Sequence, residues 1–319
     1  MALLHALRPK LRGPPMSPRV SLALPVYNGE KFLSEAITSI LDQNYSNFEL
    51  IITDNASVDR TSEISQAYSK VDCRITYIRN KTNLGAGPNF NLGFQLSRGH
   101  YFKWCAADDL LSRNFLTTCV SALDADPDAV LAYPCTESID EHGRPIPLAG
   151  LMMPIGDVND AALRFRRIVF ASNSACYEIF GLYRSAALRQ SNLHRMYYGS
   201  DRALLAEMAL LGKLVNVPGA TFYNREHCSR SIHLRSKQDR KAWQNTTVKR
   251  GLDFEHWRLL MHLTEIAVRH KRKASIFTTL PSLARWACTP RQVARYASEL
   301  VGLLSPRLRR LAHEMILGR

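Results

Sequence analysis

Polar side chains gather in four short clusters, Tyr27-Asn28, Asp54-Asn55, Asn83 and Asp108-Asp109, most of them directly behind an apolar run. A single Asp or Asn in that position is ordinarily a turn residue or a helix cap. Four such clusters in sequence ask for a shared ligand. Hard cations such as Mg²⁺ or Mn²⁺ take one or two carboxylates and complete their shell with substrate phosphate oxygens, a role that the adjacent Asp108 and Asp109 suit. The turn Pro25-Val26-Tyr27-Asn28-Gly29 carries no G-x-G-x-x-G, and no G-x-x-x-x-G-K-[ST] occurs in the chain. A bound nucleotide would therefore need a metal for its diphosphate. Further on, Asp201 follows Tyr197-Tyr198-Gly199-Ser200 at the head of a helix, where Asp201 or Ser200 also fits a plain N-cap. The run Tyr223-Asn224-Arg225-Glu226-His227 adds an Arg, whose fork of donors matches phosphate oxygens.

The elements that must hold these groups follow from hydrophobic periodicity. Residues 20–26 read as an apolar strand, and Phe32, Leu33, Ala36, Ile37, Ile40 and Leu41 recur at helical spacing. Residues 48–53 make the next strand, and Asp59 caps a helix bearing Ile64, Ala67, Tyr68 and Val71. Strands over 74–79 and 100–105 flank a helix that ends near Ser97, and Phe115, Leu116, Cys119, Val120 and Leu123 precede a strand over 129–133. This alternation predicts an α/β chain with a doubly wound, mostly parallel sheet flanked by helices. Such sheets bind ligands outside the carboxyl ends of their strands, where the four clusters fall. A second half contains a strand from Phe180-Gly181 to Arg184, a helix with Leu204, Leu205, Met208 and Leu211 on one face, and a strand over 214–217.

The chain has 319 residues, 46% hydrophobic and 22% charged, enough to bury a sizeable core. Its net charge of +14 is uneven: residues 237–319 hold 17 basic and 6 acidic side chains, against 25 and 22 in the first 236. Seven scattered cysteines without C-x-x-C spacing exclude a zinc module or disulfide framework and suit a reducing compartment. No run reaches the roughly 18 apolar residues of a spanning helix, so a cytoplasmic chain is expected. Residues 1–19, with four prolines and four basic residues, read as a disordered leader with Met16 as an alternative start. Residues 20–235 read as the main domain, its nucleotide half about 20–134 and its acceptor half about 135–235, and 236–319 as a basic helical extension. In the extension Phe254, Trp257, Met261, Thr264 and Val268, then Val293, Tyr296, Leu300 and Leu304, repeat in steps of three and four. Their polar sides carry Arg258, Arg269, Lys271, Arg272, Lys273, Arg291 and Arg295, with Arg307, Arg309 and Arg310 following. Packing against the main domain and attachment to an anionic membrane surface both explain this pattern. Nucleic acid is not expected as a partner, because no helix-turn-helix, zinc or RNA-stacking signature accompanies the charge.

These residues resemble the family 2 glycosyltransferases, inverting enzymes of the GT-A fold. The resemblance runs from Val20 to about Ile232 and rests on Leu24-Pro25-Val26-Tyr27-Asn28, on the run from Asp54 to Asp59, on Asn83-Leu84-Gly85 through Asn89, and on Ala106-Ala107-Asp108-Asp109. It implies a nucleotide-diphosphate-sugar donor held by Pro25, Tyr27, Asn28, Asp54, Asn83, Asp109 and Arg225. Tyr27 would neighbour the base and Asp54 would hydrogen-bond it. It implies a divalent metal, Mn or Mg, on Asp108 and His227, and Asp201 as the general base that takes the proton of an acceptor hydroxyl. The acceptor expected is a surface glycan or a lipid-linked one, with the enzyme peripheral to the inner membrane face. The sequence departs from the family at Ala106, where the first acid of the D-x-D motif would stand. A binding module that has lost turnover, or a nucleotidyltransferase, are the alternatives.

Overall fold

A computed structural model describes residues 17–148, 150, 152, 153, 155, 158–171, 175–197, 199–230, 239, 243, 244, 246 and 254–304. The leader up to Met16, Tyr198 and the cations Arg307, Arg309 and Arg310 lie outside the described residues.

The chain runs β1 (Val20–Val26), α1 (Leu33–Leu41), β2 (Phe48–Asp54), α2 (Thr61–Val71), β3 (Ile75–Arg79), α3 (Ala86–Gln95), β4 (Tyr101–Trp104), β5 (Leu110–Leu111) and α4 (Phe115–Ala125). It continues with β6 (Ala129–Ile139), β7 (Pro145–Ile146), α5 (Ala161–Phe170), a 3₁₀ turn (Tyr177–Phe180), β8 (Leu182–Arg184), α6 (Ser185–Leu188), α7 (Ser200–Leu211) and β9 (Lys213–Arg225). Three helices close the described chain: α8 (Glu255–Arg269), α9 (Ile276–Ala287) and α10 (Pro290–Leu304). None is long and apolar enough to cross a membrane.

One sheet takes the order β3-β2-β1-β4-β8-β6-β9-β5, with β7 on β6. The first four strands are parallel, as the alternation predicts. β8 enters antiparallel between β4 and β6, and β5 lies antiparallel on β9. From β1 the chain moves outward to β2 and β3, then returns to the other side as β4. Strand order therefore reverses between β1 and β4, which opens a crevice at their carboxyl ends. β6 and β9 run well beyond the strands expected over 129–133 and 214–217. Pro134 and Pro218-Gly219 read as breakers, yet a register shift between the Pro134↔Val217 and Cys135↔Thr221 pairs absorbs both and pairing continues to Arg225.

Alternation along β1 sends its side chains to two cores. Leu22 and Leu24 pack with Leu33, Ile37, Phe115 and Leu116, whereas Ala23 packs with Phe94, Phe102, Trp104 and the α5 and α7 side chains. α3 crosses β1 so closely that a Cβ on Gly93 would stand 2.5 Å from that of Ala23, which fixes the helix over the strand. Leu263, Ile266, Leu283 and Trp286 join the second core, so α8 and α9 pack on the main domain. The expected apolar stripe of α8 is offset in the structure: Met261 and Val268 are 65% and 48% exposed, and the buried face holds His262, Leu263, Ile266 and Ala267. Hydropathy alone misplaces that face because a hydrogen-bonded histidine is part of it. In α10 likewise Tyr296 is buried while Val293 and Leu300 are exposed.

Candidate functional site

The crevice at the β1/β4 reversal is a cleft of about 490 Å³. Its wall brings together Pro25, Tyr27, Asn28, Asn83, Asp108, Asp109 and His227 from the sequence-predicted set. Asp54, Arg225 and Asp201 do not border it.

Tyr27 and Asn28 follow β1, and Asn28 sits in the left-handed region at φ 51°. Its amide N–H donates to Ser57 Oγ at 2.9 Å, while its Oδ1 accepts from the Val58 N–H at 2.9 Å. These bonds staple the β1 turn to the turn after β2 and leave the Tyr27 ring 49% exposed in the cleft. Asp54 is fully buried beneath that second turn. It accepts from the Ser57 N–H at 2.8 Å, from Tyr77 Oη at 2.7 Å and from Arg79 at 3.2 Å. Its carboxylate shapes the turn after β2, to which Asn28 is stapled through Ser57.

Asn83 belongs to a carboxamide network. Its Oδ1 accepts from Asn55 Nδ2 and from the Gly85 N–H, both at 2.8 Å, and Asn55 Oδ1 accepts from the Leu84 N–H at 2.9 Å. Asn80 links Asn55 to Asn89, which donates to the Thr53 carbonyl. The loop before α3 is thereby tied to the end of β2.

Beyond β4, Ala106 and Ala107 line the cleft and Asp108 and Asp109 close it. His227 Nε2 and Asp108 Oδ2 lie 2.9 Å apart, with the Phe32 ring 4.9 Å from the imidazole. Asp109 is buried; its Oδ1 accepts the Arg225 N–H at 2.8 Å, and burial followed by the Asp108 charge pushes its carboxyl well above the usual carboxylate range. Arg225 is turned away from the cleft. Its guanidinium pairs with Glu35 at 2.6 Å, donates to the carbonyls of Asp108 and Glu141, and lies over Phe32. Arg230, which motif reasoning misses, borders the cleft instead. Burial acts against its charge, but pairing with Glu226 and the fields of Asp109 and Asp108 outweigh it and raise its pKa. Lys31 is a second cation on the wall. Neither residue sits in a periodic element, so spacing carries no signal for them.

One carboxylate oxygen and one imidazole nitrogen at this distance suit a divalent ion whose remaining positions come from phosphate oxygens. Among the described residues no group of three or more His, Cys, Asp or Glu forms a closed metal site. A mixed nitrogen and oxygen pair fits Mn²⁺ better than Mg²⁺.

Asp201 stands in the first turn of α7, whose N-cap is Gly199 at φ 92°, a conformation costly for any residue with a Cβ. Its Oδ1 accepts from the Arg202 N–H at 2.8 Å. Burial and then the Asp201 field push the Cys176 thiol up. Burial holds His194 neutral, with a pKa down to about 4, against the opposing pull of Asp201. His194 packs edge-on against Phe90, a cleft residue, at 5.4 Å.

The family model "Glycosyl transferase family 2" matches residues 21–189. An uncharacterized glycosyltransferase of Haemophilus influenzae is 26% identical over 245 residues, 73% of this chain and 72% of that one. One of Rickettsia typhi is 36% identical over 126 residues, 39% of this chain and only 38% of that relative's length. Among solved structures, S. aureus TarS 1–349 in complex with UDP-GlcNAc aligns with a TM-score of 0.55 at 18% identity, covering 93% of this chain and 86% of that chain. The mannosyltransferase PcManGT of Pyrobaculum calidifontis, in complex with GDP-Man and Mn²⁺, aligns with a TM-score of 0.50 at 17% identity over 93% and 84%. These likenesses establish the fold, a parallel-rich GT-A sheet flanked by helices.

Proposed function

Because the chain belongs to the family 2 glycosyltransferases, we propose that its cleft transfers a sugar from a nucleoside diphosphate donor to an acceptor hydroxyl with inversion. The observation that carries this reading is the pair Asp108 and His227, 2.9 Å apart at the carboxyl ends of β4 and β9, beside the exposed ring of Tyr27. Pro25, Tyr27 and Asn28 border the nucleoside, with Asp54 and Asn83 holding the turns around it. Arg230 faces the diphosphate, and Arg225 supports Asp108 and Asp109 from behind. Asp108 and His227 are the residues to hold a divalent ion, preferably Mn²⁺, which when bound neutralises charge on the leaving diphosphate. The GDP-Man and Mn²⁺ of the archaeal neighbour and the UDP-GlcNAc of the bacterial one support the ligand class.

In the reaction the acceptor oxygen bonds to the anomeric carbon as the bond to the diphosphate oxygen breaks. A base takes the hydroxyl proton, a role for which Asp201, in the first turn of α7 and outside the cleft lining, is the candidate carried over from the family resemblance, and the nucleoside diphosphate leaves with the electron pair. A single displacement of this kind inverts the anomeric centre. The acceptor proposed is the hydroxyl of a glycan, free or lipid-linked.

Calorimetry with UDP, GDP and dTDP in Mn²⁺, in Mg²⁺ and in EDTA tests the reading, repeated on Asp108→Ala and His227→Ala. Metal-dependent binding of one nucleotide is expected, weakened roughly 100-fold or more in either variant. Failure of the folded protein to bind any of them overturns it. Ala106, a methyl group on the cleft wall, favours the second reading of a binding module without turnover. Nucleotide binding without release of nucleoside diphosphate from any donor identifies that case, and pyrophosphate release identifies a nucleotidyltransferase.

A further inference from the structure

We infer that the turn between α8 and α9, together with the outward face of α9, attaches this protein to an anionic lipid surface. α9 buries Thr279, Leu283 and Trp286 against the protein. Its opposite face presents Phe277, Pro281 and Ala284 in steps of four and three, all exposed, with Cys288 continuing the row. Phe277 is 85% exposed. A helix on a solvated surface normally carries charge there, yet α9 has no acid and only Arg285 as a cation.

The preceding turn supplies the charge. Lys271, Arg272 and Lys273 are all exposed, and no ion pair engages them among the described residues. From Ile266 to Ser298 the chain contains no Asp or Glu, while Arg269, Lys271, Arg272, Lys273, Arg285, Arg291 and Arg295 all fall within it. An apolar ridge fringed by cations fits the boundary between headgroups and acyl chains, where the ring enters and the cations meet phosphate. A nucleic acid would use the cations but gain little from Pro281 and Ala284. Trp257 is not part of this surface, because its ring packs on Tyr296 with centroids 4.7 Å apart. The surface stands apart from the cleft and does not depend on the transferase reading.

Flotation of the full chain with vesicles of phosphatidylcholine, with and without phosphatidylglycerol, tests the inference. The protein is expected to float only with the anionic vesicles and to be released by high salt. The triple variant Lys271→Glu, Arg272→Glu, Lys273→Glu should lower partitioning roughly 100-fold or more, and Phe277→Ser roughly tenfold. All four side chains are exposed, so unchanged circular dichroism and thermal unfolding identify variants that remain folded. Absence of flotation with anionic vesicles overturns the inference, as does flotation indifferent to Phe277. Binding to RNA that Phe277→Ser leaves intact, without vesicle binding, reassigns the cations to nucleic acid. Nucleotide calorimetry on the same preparation keeps this outcome separate from that of the cleft.

Discussion

Arg225 grips both acids that close the cleft: its main-chain N–H donates to Asp109 Oδ1 at 2.8 Å, and its Nε donates to the Asp108 carbonyl at 2.9 Å. The end of β9 is thereby tied to the segment that leads from β4 into β5, continuing the antiparallel pairing of β5 with β9. The same strand end delivers His227 two residues later, so the Asp108 and His227 geometry depends on this clasp. The guanidinium is fully buried, while its partner Glu35 is 57% exposed and can rehydrate.

Arg225→Met should therefore destabilise the fold by about 2–3 kcal/mol, below the ~3–5 kcal/mol of breaking a fully buried pair. Urea unfolding checks the figure. Metal-dependent nucleotide binding should weaken as well, because Asp108 loses its support. A variant of unchanged stability and nucleotide affinity would show that the Arg225 guanidinium positions nothing.

Arg230 makes the opposite prediction. It borders the cleft and faces the field of both acids, so Arg230→Ala should weaken nucleoside diphosphate binding roughly 10- to 100-fold, the range of charge-assisted hydrogen bonds. Nucleoside affinity should change little, since Tyr27 and Asn28 are untouched. Equal losses for nucleoside and diphosphate in calorimetry would place Arg230 elsewhere in recognition.

Much of this arrangement was legible in the sequence, because parallel strands buried on both faces appear as continuous apolar runs and their polar ends stand out. Tyr27, Asn28, Asn83, Asp108, Asp109 and His227 meet in one cleft for that reason. Motif reasoning does not say which way a side chain turns at a strand end. Asp54 and Arg225 both carry the expected charge at the expected place, yet each faces inward and shapes a neighbour. Arg230 and Lys31 lie in irregular segments where position follows from tertiary contacts alone. In α8, likewise, His262 is buried through its bonds to Tyr197 and Asn192, which no hydropathy period registers.

Asp201 is assigned the acceptor proton, which fixes the kinetic signature of its loss. Asp201→Asn should lower kcat about 10²- to 10⁴-fold while nucleotide affinity in the presence of Mn²⁺ stays within a factor of about two. Steady-state assays with the donor identified by calorimetry, run beside binding on the same variant, separate the two quantities. A kcat left unchanged removes Asp201 from the chemistry and leaves it as a residue of the α7 first turn.

The buried histidines set the acid response of the fold. His262 donates or accepts with Tyr197 Oη at 2.8 Å and faces Asn192 Nδ2 at 3.3 Å; since that amide donates, the neutral ring carries its proton on Nδ1. Burial, helped by the Arg195 charge, lowers its pKa from 6.5 to about 4, and burial lowers His194 likewise to about 4. Between pH 6.5 and 4 the unfolded chain binds protons that the folded chain refuses, so stability is full above that window and falls as pH drops through it. Each histidine contributes on the order of 1–3 kcal/mol to the loss. Asp72, whose carboxyl is held low by Arg74 despite the opposing effect of burial, adds its loss only at lower pH. His262→Gln keeps an acceptor and a donor for Asn192 and Tyr197 but cannot ionise. Its unfolding free energy should decline less steeply from pH 6.5 to 4 than that of the wild type, and parallel curves for the two proteins would exclude His262 as a source of acid sensitivity.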